Sequence, residues 1–82
     1  MDAFRDRVAI VTGAGSGIGR AISVALGRRG ARVIVTDLDL ASAEATAEMV
    51  RRAGAETSAH RVDVVDPGDV SEIVDHTVRV HR

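Results

Sequence analysis

Cysteine is absent from this chain of 82 residues, which excludes disulfides and thiolate chemistry. Tyrosine and tryptophan are absent too, and phenylalanine occurs once, so any core must be built from Val, Ile, Leu and Ala. Lysine is missing, since all eleven basic residues are arginine; with twelve acids they leave a formal net charge of −1. That balance points to no nucleic-acid partner and no anionic membrane. No apolar run approaches the ~18 residues of a membrane span, and residues 1–6 carry no apolar signal core. The expectation is a soluble, cytoplasmic chain that forms one small domain at most. His60, His76 and His81 have no metal-ligand spacing, and Asp75 beside His76 points elsewhere on a helix, so no metal is expected. Ser23 has no histidine within helical reach, so no nucleophile triad is expected either.

What is present is organised around residues 8–19, Val-Ala-Ile-Val-Thr-Gly-Ala-Gly-Ser-Gly-Ile-Gly. A run of strand formers stops at Thr12, four glycines follow at alternate positions, and Arg20-Ala21-Ile22 opens a stretch with helical spacing. Strand, glycine turn and helix start, in that order, make a phosphate site. The first helical N–H groups are unpaired and carry the positive end of the dipole. A strict G-x-G-x-x-G does not fit, because the third glycine falls at Ile18 or at Arg20. A Walker loop fails for want of a lysine. The pattern that fits is T-G-x-x-x-G-x-G, carried by Thr12, Gly13, Gly17 and Gly19.

The rest of the chain alternates strand and helix, with no linker, low-complexity segment or repeat. Strand signals cover residues 7–12, 32–36 and part of 57–65; the first two are continuously apolar, as strands covered on both faces are. The third is less apolar at His60 and Arg61, as at an edge. Helix signals cover residues 18–29 and 40–53 and a third segment opening at Asp66-Pro67, with Asp39 and Asp66 as N-caps. The apolar faces are read as Ile18, Ile22, Ala25 and Leu26 on the first helix, Ala43, Ala47 and Val50 on the second, and Val70, Ile73, Val74 and Val78 on the third. Arg28-Arg29 reads as a solvated helix end. This β-α-β-α-β-α order predicts an α/β, Rossmann-like fold with a three-stranded parallel sheet, one half of a doubly wound domain over residues 1–82. Asp37 ends the second strand, eighteen residues past Gly19. There a carboxylate can accept hydrogen bonds from the hydroxyls of an adenosine ribose and would repel a 2′-phosphate.

The glycine motif and its strand resemble the opening of the short-chain dehydrogenase/reductase family, V-A-I-V-T-G-A-x-x-G-I-G. The resemblance covers nearly the whole chain but only about the first third of a typical member. It implies a dinucleotide partner gripped at Gly13, Ser16, Gly17, Ile18 and Gly19, with Ser16 and Ile18 acting largely through backbone and Thr12 bracing the turn. It implies that Asp37 holds the ribose and that Asp63 and Val64 hold the adenine. Members that take NADP often look basic within the glycine turn or just after the second strand; Ser16 and Leu38 are not basic, so NAD is expected over NADP. Arg20 is read as a structural residue facing out of the first helical turn.

In that family an Asn, a Ser and a Tyr-x-x-x-Lys pair carry the hydride-transfer chemistry. This sequence has no Tyr and no Lys, so no catalytic residue is expected here, and the chain reads as the cofactor-binding segment of an NAD(H)-dependent alcohol or carbonyl oxidoreductase. Two other readings stand beside it: a non-catalytic nucleotide-binding or interaction module, and a truncated product without function. In the order 3-2-1-4 the first strand would have a bare side. The chain is therefore expected to be unstable alone, to form a homo-oligomer through that edge, or to pair it with the remainder of the fold.

Overall fold

The computed structural model describes residues 3–81. The elements run β1 (Val8–Val11), α1 (Gly17–Arg28), β2 (Arg32–Asp37), α2 (Leu40–Arg52), β3 (Thr57–Arg61) and α3 (Pro67–His81). The three strands are parallel in the order β1-β2-β3. Val8 to Val11 pair with Arg32 to Val35, and Val33 to Asp37 pair with Thr57 to Arg61. The expected β-α-β-α-β-α order with a three-stranded parallel sheet is therefore the observed one.

Parallel strands need crossover helices, and these cover both faces of the sheet. On one face Val33 and Val35 pack with Ala14, Ala31, Ala43, Ala47 and Val50, and Val11, Val24, Leu26, Ala55 and Ala59 close the edge of this cluster. On the other face Ile34 meets Val62 and Ile73, with Val8 beside them. Alternation along β2 thus sends its two valines toward α1 and α2 and its isoleucine toward α3. Caps follow the sequence expectations. Asp39 accepts the Ala41 and Ser42 N–H groups at 3.1 and 3.3 Å. Asp66 accepts those of Gly68 and Asp69 at 2.9 and 3.4 Å.

Two helix faces differ from expectation. On α1 the buried residues are Ser23 and Gly27, whereas Ile18 is 80% exposed and Ile22 46%. The reason is proximity: a Cβ on Gly27 would lie 2.9 Å from Val50 Cγ1 and 3.1 Å from Ala55 Cβ. Only small residues let α1 approach α2 so closely, and a periodicity of bulky residues cannot report a contact made by small ones. On α3 Ile73 is buried as expected and Thr77 joins it, while Val70, Val74 and Val78 of the expected stripe remain exposed. The Ala43, Ala47 and Val50 face of α2 is buried as expected, with Thr46 added to it.

The other face also joins two histidines. The His60 ring on β3 and the His76 ring on α3 meet edge to face, with centroids 5.1 Å apart. His60 Nε2 lies 2.9 Å from Ser58 Oγ. A cleft of about 180 Å³ beside them is lined also by Arg61, Asp69 and Glu72. Burial, first, and the charge of His76 hold His60 below the ordinary imidazole value. The folded chain therefore binds fewer protons than the unfolded one just below that value, so acid favours unfolding. We expect stability in urea to fall as the pH drops below about 6.5, and His76→Gln to flatten that dependence. An unchanged slope in the variant would show that burial alone, and not the charge of His76, sets the dependence.

Candidate cofactor site

The glycine turn, Asp37 and Asp63 all lie where the parallel strands end, the edge at which open α/β sheets take ligands. Backbone bonds fix the turn there. The Ala14 N–H donates to the Thr36 carbonyl at 2.9 Å, and the Val62 N–H to the Asp37 carbonyl at 3.0 Å. The Thr36 hydroxyl, almost fully buried, donates to the Val11 carbonyl at 2.8 Å. Thr36 thus braces the end of β1 from β2, and Thr12 is exposed.

Gly13 and Gly17 hold φ of 59° and 56°, a region that L side chains rarely enter. A Cβ on either would meet nothing within 4 Å, so the space before the start of α1 is open. Ser16 sits at the N-cap position with extended backbone, makes no side-chain cap, and is followed by no acid in the first turn. By contrast α2 and α3 are closed by Asp39 and Asp66. The leading amides of α1 are thus left without a capping side chain, with the positive end of the helix dipole behind them. Such a cradle fits a diphosphate.

Arg20 does not face out as expected. Its Nη2 donates to the Gly15 carbonyl at 2.6 Å and its Nε to Thr46 Oγ1 at 2.9 Å, so it ties the turn to α2. Thr46 is fully buried. Replacing Arg20 by Met removes a charged bond and leaves the Gly15 carbonyl without this donor. We expect a loss of about 1.5–3 kcal/mol, read from the urea midpoint; a loss under about 0.5 kcal/mol would show the clamp to be ornamental.

Asp37 closes the other side of the site. Its Oδ1 accepts the Asp39 N–H and its Oδ2 the Gly15 N–H, both at 2.9 Å. The Asp39 amide, first, and then the Gly15 amide hold its carboxyl below the ordinary range, while partial burial pulls the other way. The group is an anion at neutral pH, with lone pairs left over for hydroxyl donors. Asp63 follows Val62 out of β3. Its N–H donates to Asp69 Oδ2 at 3.0 Å, and its Oδ1 accepts the Val65 N–H at 3.0 Å; the side chain therefore also shapes its own turn. Val64 is exposed. The structure joins the glycine turn to Asp37 through the Gly15 N–H and to the end of β2 through the Ala14 N–H. Asp63 and Val64 stand at the same sheet edge, joined to the end of β2 through Val62 and the Asp37 carbonyl. Gly15, Arg20 and Thr46 enter the site although the sequence reading gave them no part in binding; the alternate-glycine spacing was the only signal for Gly15. Among the described residues no group of three or more His, Asp or Glu is placed to hold a metal ion, and no helix is long and apolar enough to cross a membrane.

A parallel sheet with a glycine turn leading into an open helix start, and an acid ending the next strand, defines a Rossmann-like α/β architecture. The family described as short chain dehydrogenase matches residues 7–82, and the chain belongs to that family. It is 45% identical over 74 residues to versicolorin reductase 1 of Aspergillus parasiticus, a match that covers 89% of this chain and 28% of that protein. It is 39% identical over 77 residues to the short-chain dehydrogenase/reductase homolog YusS of Bacillus subtilis, covering 93% of this chain and 71% of that one. Among solved structures, an NAD+-bound xylitol dehydrogenase superposes with a TM-score of 0.92 at 32% identity, over 96% of this chain and 30% of that one. A metagenomic short-chain oxidoreductase in complex with NADP superposes with a TM-score of 0.90 at 34% identity, over 94% and 35%. The chain thus spans less than a third of the reductase from Aspergillus, and its structural neighbours include both an NAD and an NADP complex.

Proposed function

We propose that this chain binds NAD through its adenosine and diphosphate half, as the cofactor-binding segment of an oxidoreductase acting on an alcohol or a carbonyl. The observation that carries the proposal is the Asp37 carboxylate, held by two backbone amides beside the open N-terminus of α1. The amides of Gly17, Ile18 and Gly19 take the diphosphate, Gly13 and Ser16 shape the turn around it, and Asp37 accepts from the ribose hydroxyls. Asp63 and the Val64 backbone take the adenine. When bound, the nicotinamide ring supplies hydride transfer. The proton that accompanies it is moved by groups outside these 82 residues, which contain neither Tyr nor Lys. NAD is preferred over NADP because the Asp37 anion repels a 2′-phosphate and neither Ser16 nor Leu38 offsets it. The free side of β1 takes a further strand, either from another part of the protein or from a second copy.

One observation supports a second reading, a nucleotide-binding module without chemistry of its own: this chain spans 71% of the short YusS homolog. Calorimetric titration of the chain with NAD, NADP and ADP tests the proposal. The dinucleotide proposal expects NAD to bind about tenfold tighter than NADP, a difference of about 1.4 kcal/mol, and Asp37→Ala to erase the difference. NADP binding as tightly as NAD would overturn it. Equal affinities for ADP and NAD are expected, since the chain grips only the adenosine and diphosphate half; failure to bind any of the three would overturn this proposal and the module alike.

A further inference from the structure

The Gly15 peptide is gripped from both sides, its N–H by Asp37 and its carbonyl by Arg20. Gly15 is buried, yet it is not among the glycines with positive φ, so its backbone does not require glycine. Space does. A Cβ at this position would lie 2.6 Å from Ser42 Cβ, 2.8 Å from Asp37 Oδ2 and 3.0 Å from Asp37 Cγ. Ser42 cannot retreat easily, because its N–H and its hydroxyl are both bonded to the Asp39 cap, at 3.3 and 3.0 Å. Relief of the Ser42 contact requires the turn to shift from α2, and relief of the other two requires the Asp37 carboxylate, the far end of a side chain, to rotate out of the turn and give up the Gly15 N–H.

We infer that Gly15 is a positioning residue for cofactor choice: by having no side chain it lets the Asp37 carboxylate lie against the glycine turn, where both oxygens are fixed and the charge confronts a 2′-phosphate. The inference rests on the proposed contact between Asp37 and the ribose, and extends it to a residue that touches neither ribose nor phosphate. Any side chain at position 15 swings the carboxylate away and weakens discrimination, although the acid itself is still present.

The test is Gly15→Ala in this chain, alone and combined with Ser42→Gly. The second change removes the 2.6 Å obstacle and guards against simple misfolding, but leaves the methyl against Asp37. Two readouts are needed. The first requires no cofactor: a carbon-detected NMR titration of the Asp37 carboxyl, which moves up toward the ordinary aspartate range once the Gly15 amide is lost. The second is the ratio of NADP to NAD dissociation constants, expected to fall about tenfold. In a folded variant, an unmoved titration or an unchanged ratio overturns the inference. So does a double variant that returns to wild-type behaviour in both, since Gly15 would then only be making room for Ser42. Wild-type protein with no preference for NAD overturns the ribose contact itself. A preserved wild-type preference with an unmoved Asp37 overturns the role of Gly15 alone.

Discussion

Gly17→Asp is expected to weaken dinucleotide binding at least about a hundredfold while the sheet stays folded. Gly17 opens α1 at φ 56°, and a Cβ there meets nothing within 4 Å, so the substitution begins in open space. The left-handed backbone costs an L residue roughly 1–2 kcal/mol, with Asp among the more tolerant. A carboxylate at a helix N-terminus returns about 0.3–1 kcal/mol through the dipole. The net cost to the fold is therefore about 1 kcal/mol, a small shift in the melting curve. The cost to binding is much larger, because a fixed anion now stands in the space before the amides of Ile18 and Gly19. A diphosphate must displace it or meet its charge, and we expect NAD affinity to fall at least on the order of a hundredfold, about 2.7 kcal/mol. Titration of the folded variant checks this. Affinity within threefold of wild type would mean that the diphosphate does not rest on the start of α1.

Much of this arrangement is legible in the sequence because it depends on local spacing. The glycine turn, the caps at Asp39 and Asp66 and the acid ending β2 are each set by a handful of neighbouring residues, and each is found where expected. The less legible features involve distant partners or small side chains. Arg20 reads as an outward cation because its destination, Thr46, lies 26 residues away. Ser23 and Gly27 carry no hydrophobic signal, yet they are the residues that α1 buries. On α3 the valine-rich side is distinct from the side that meets Ile34 and Val62. Hydrophobic periodicity finds the largest apolar stripe, whereas the contact depends on which stripe the neighbouring element can reach. Gly15 is visible as a glycine, but its reason is the 2.8 Å between an imagined methyl and a carboxylate 22 residues onward.

Gly19, two residues beyond Gly17, behaves in the opposite way. A Cβ on Gly19 would lie 2.9 Å from Ala14 Cα and 2.9 Å from the Gly13 carbonyl carbon, and closer still to the Gly13 oxygen. All three are backbone atoms, and the segment that carries them is tied to β2 through the Ala14 N–H. Nothing there is the loose end of a flexible side chain. To admit one methyl, the first turn of α1 must lift from the glycine loop, which also disturbs the Ser23 hydroxyl bonded to the Gly19 carbonyl at 2.8 Å. Overpacking costs typically 1–3 kcal/mol where side chains can adjust and more where they cannot, so Gly19→Ala is expected to cost about 3 kcal/mol or more. A chain of 82 residues holds about 4–12 kcal/mol in total, and the α3 face, with one buried isoleucine from its helix, leaves little in reserve. Thermal melts followed by circular dichroism should show Gly19→Ala unfolding tens of degrees below wild type or lacking a cooperative transition, while Gly17→Asp melts close to wild type. If Gly19→Ala melts with wild type, the loop and helix are not in the close contact described, and the cradle that Gly17 opens loses its fixed wall.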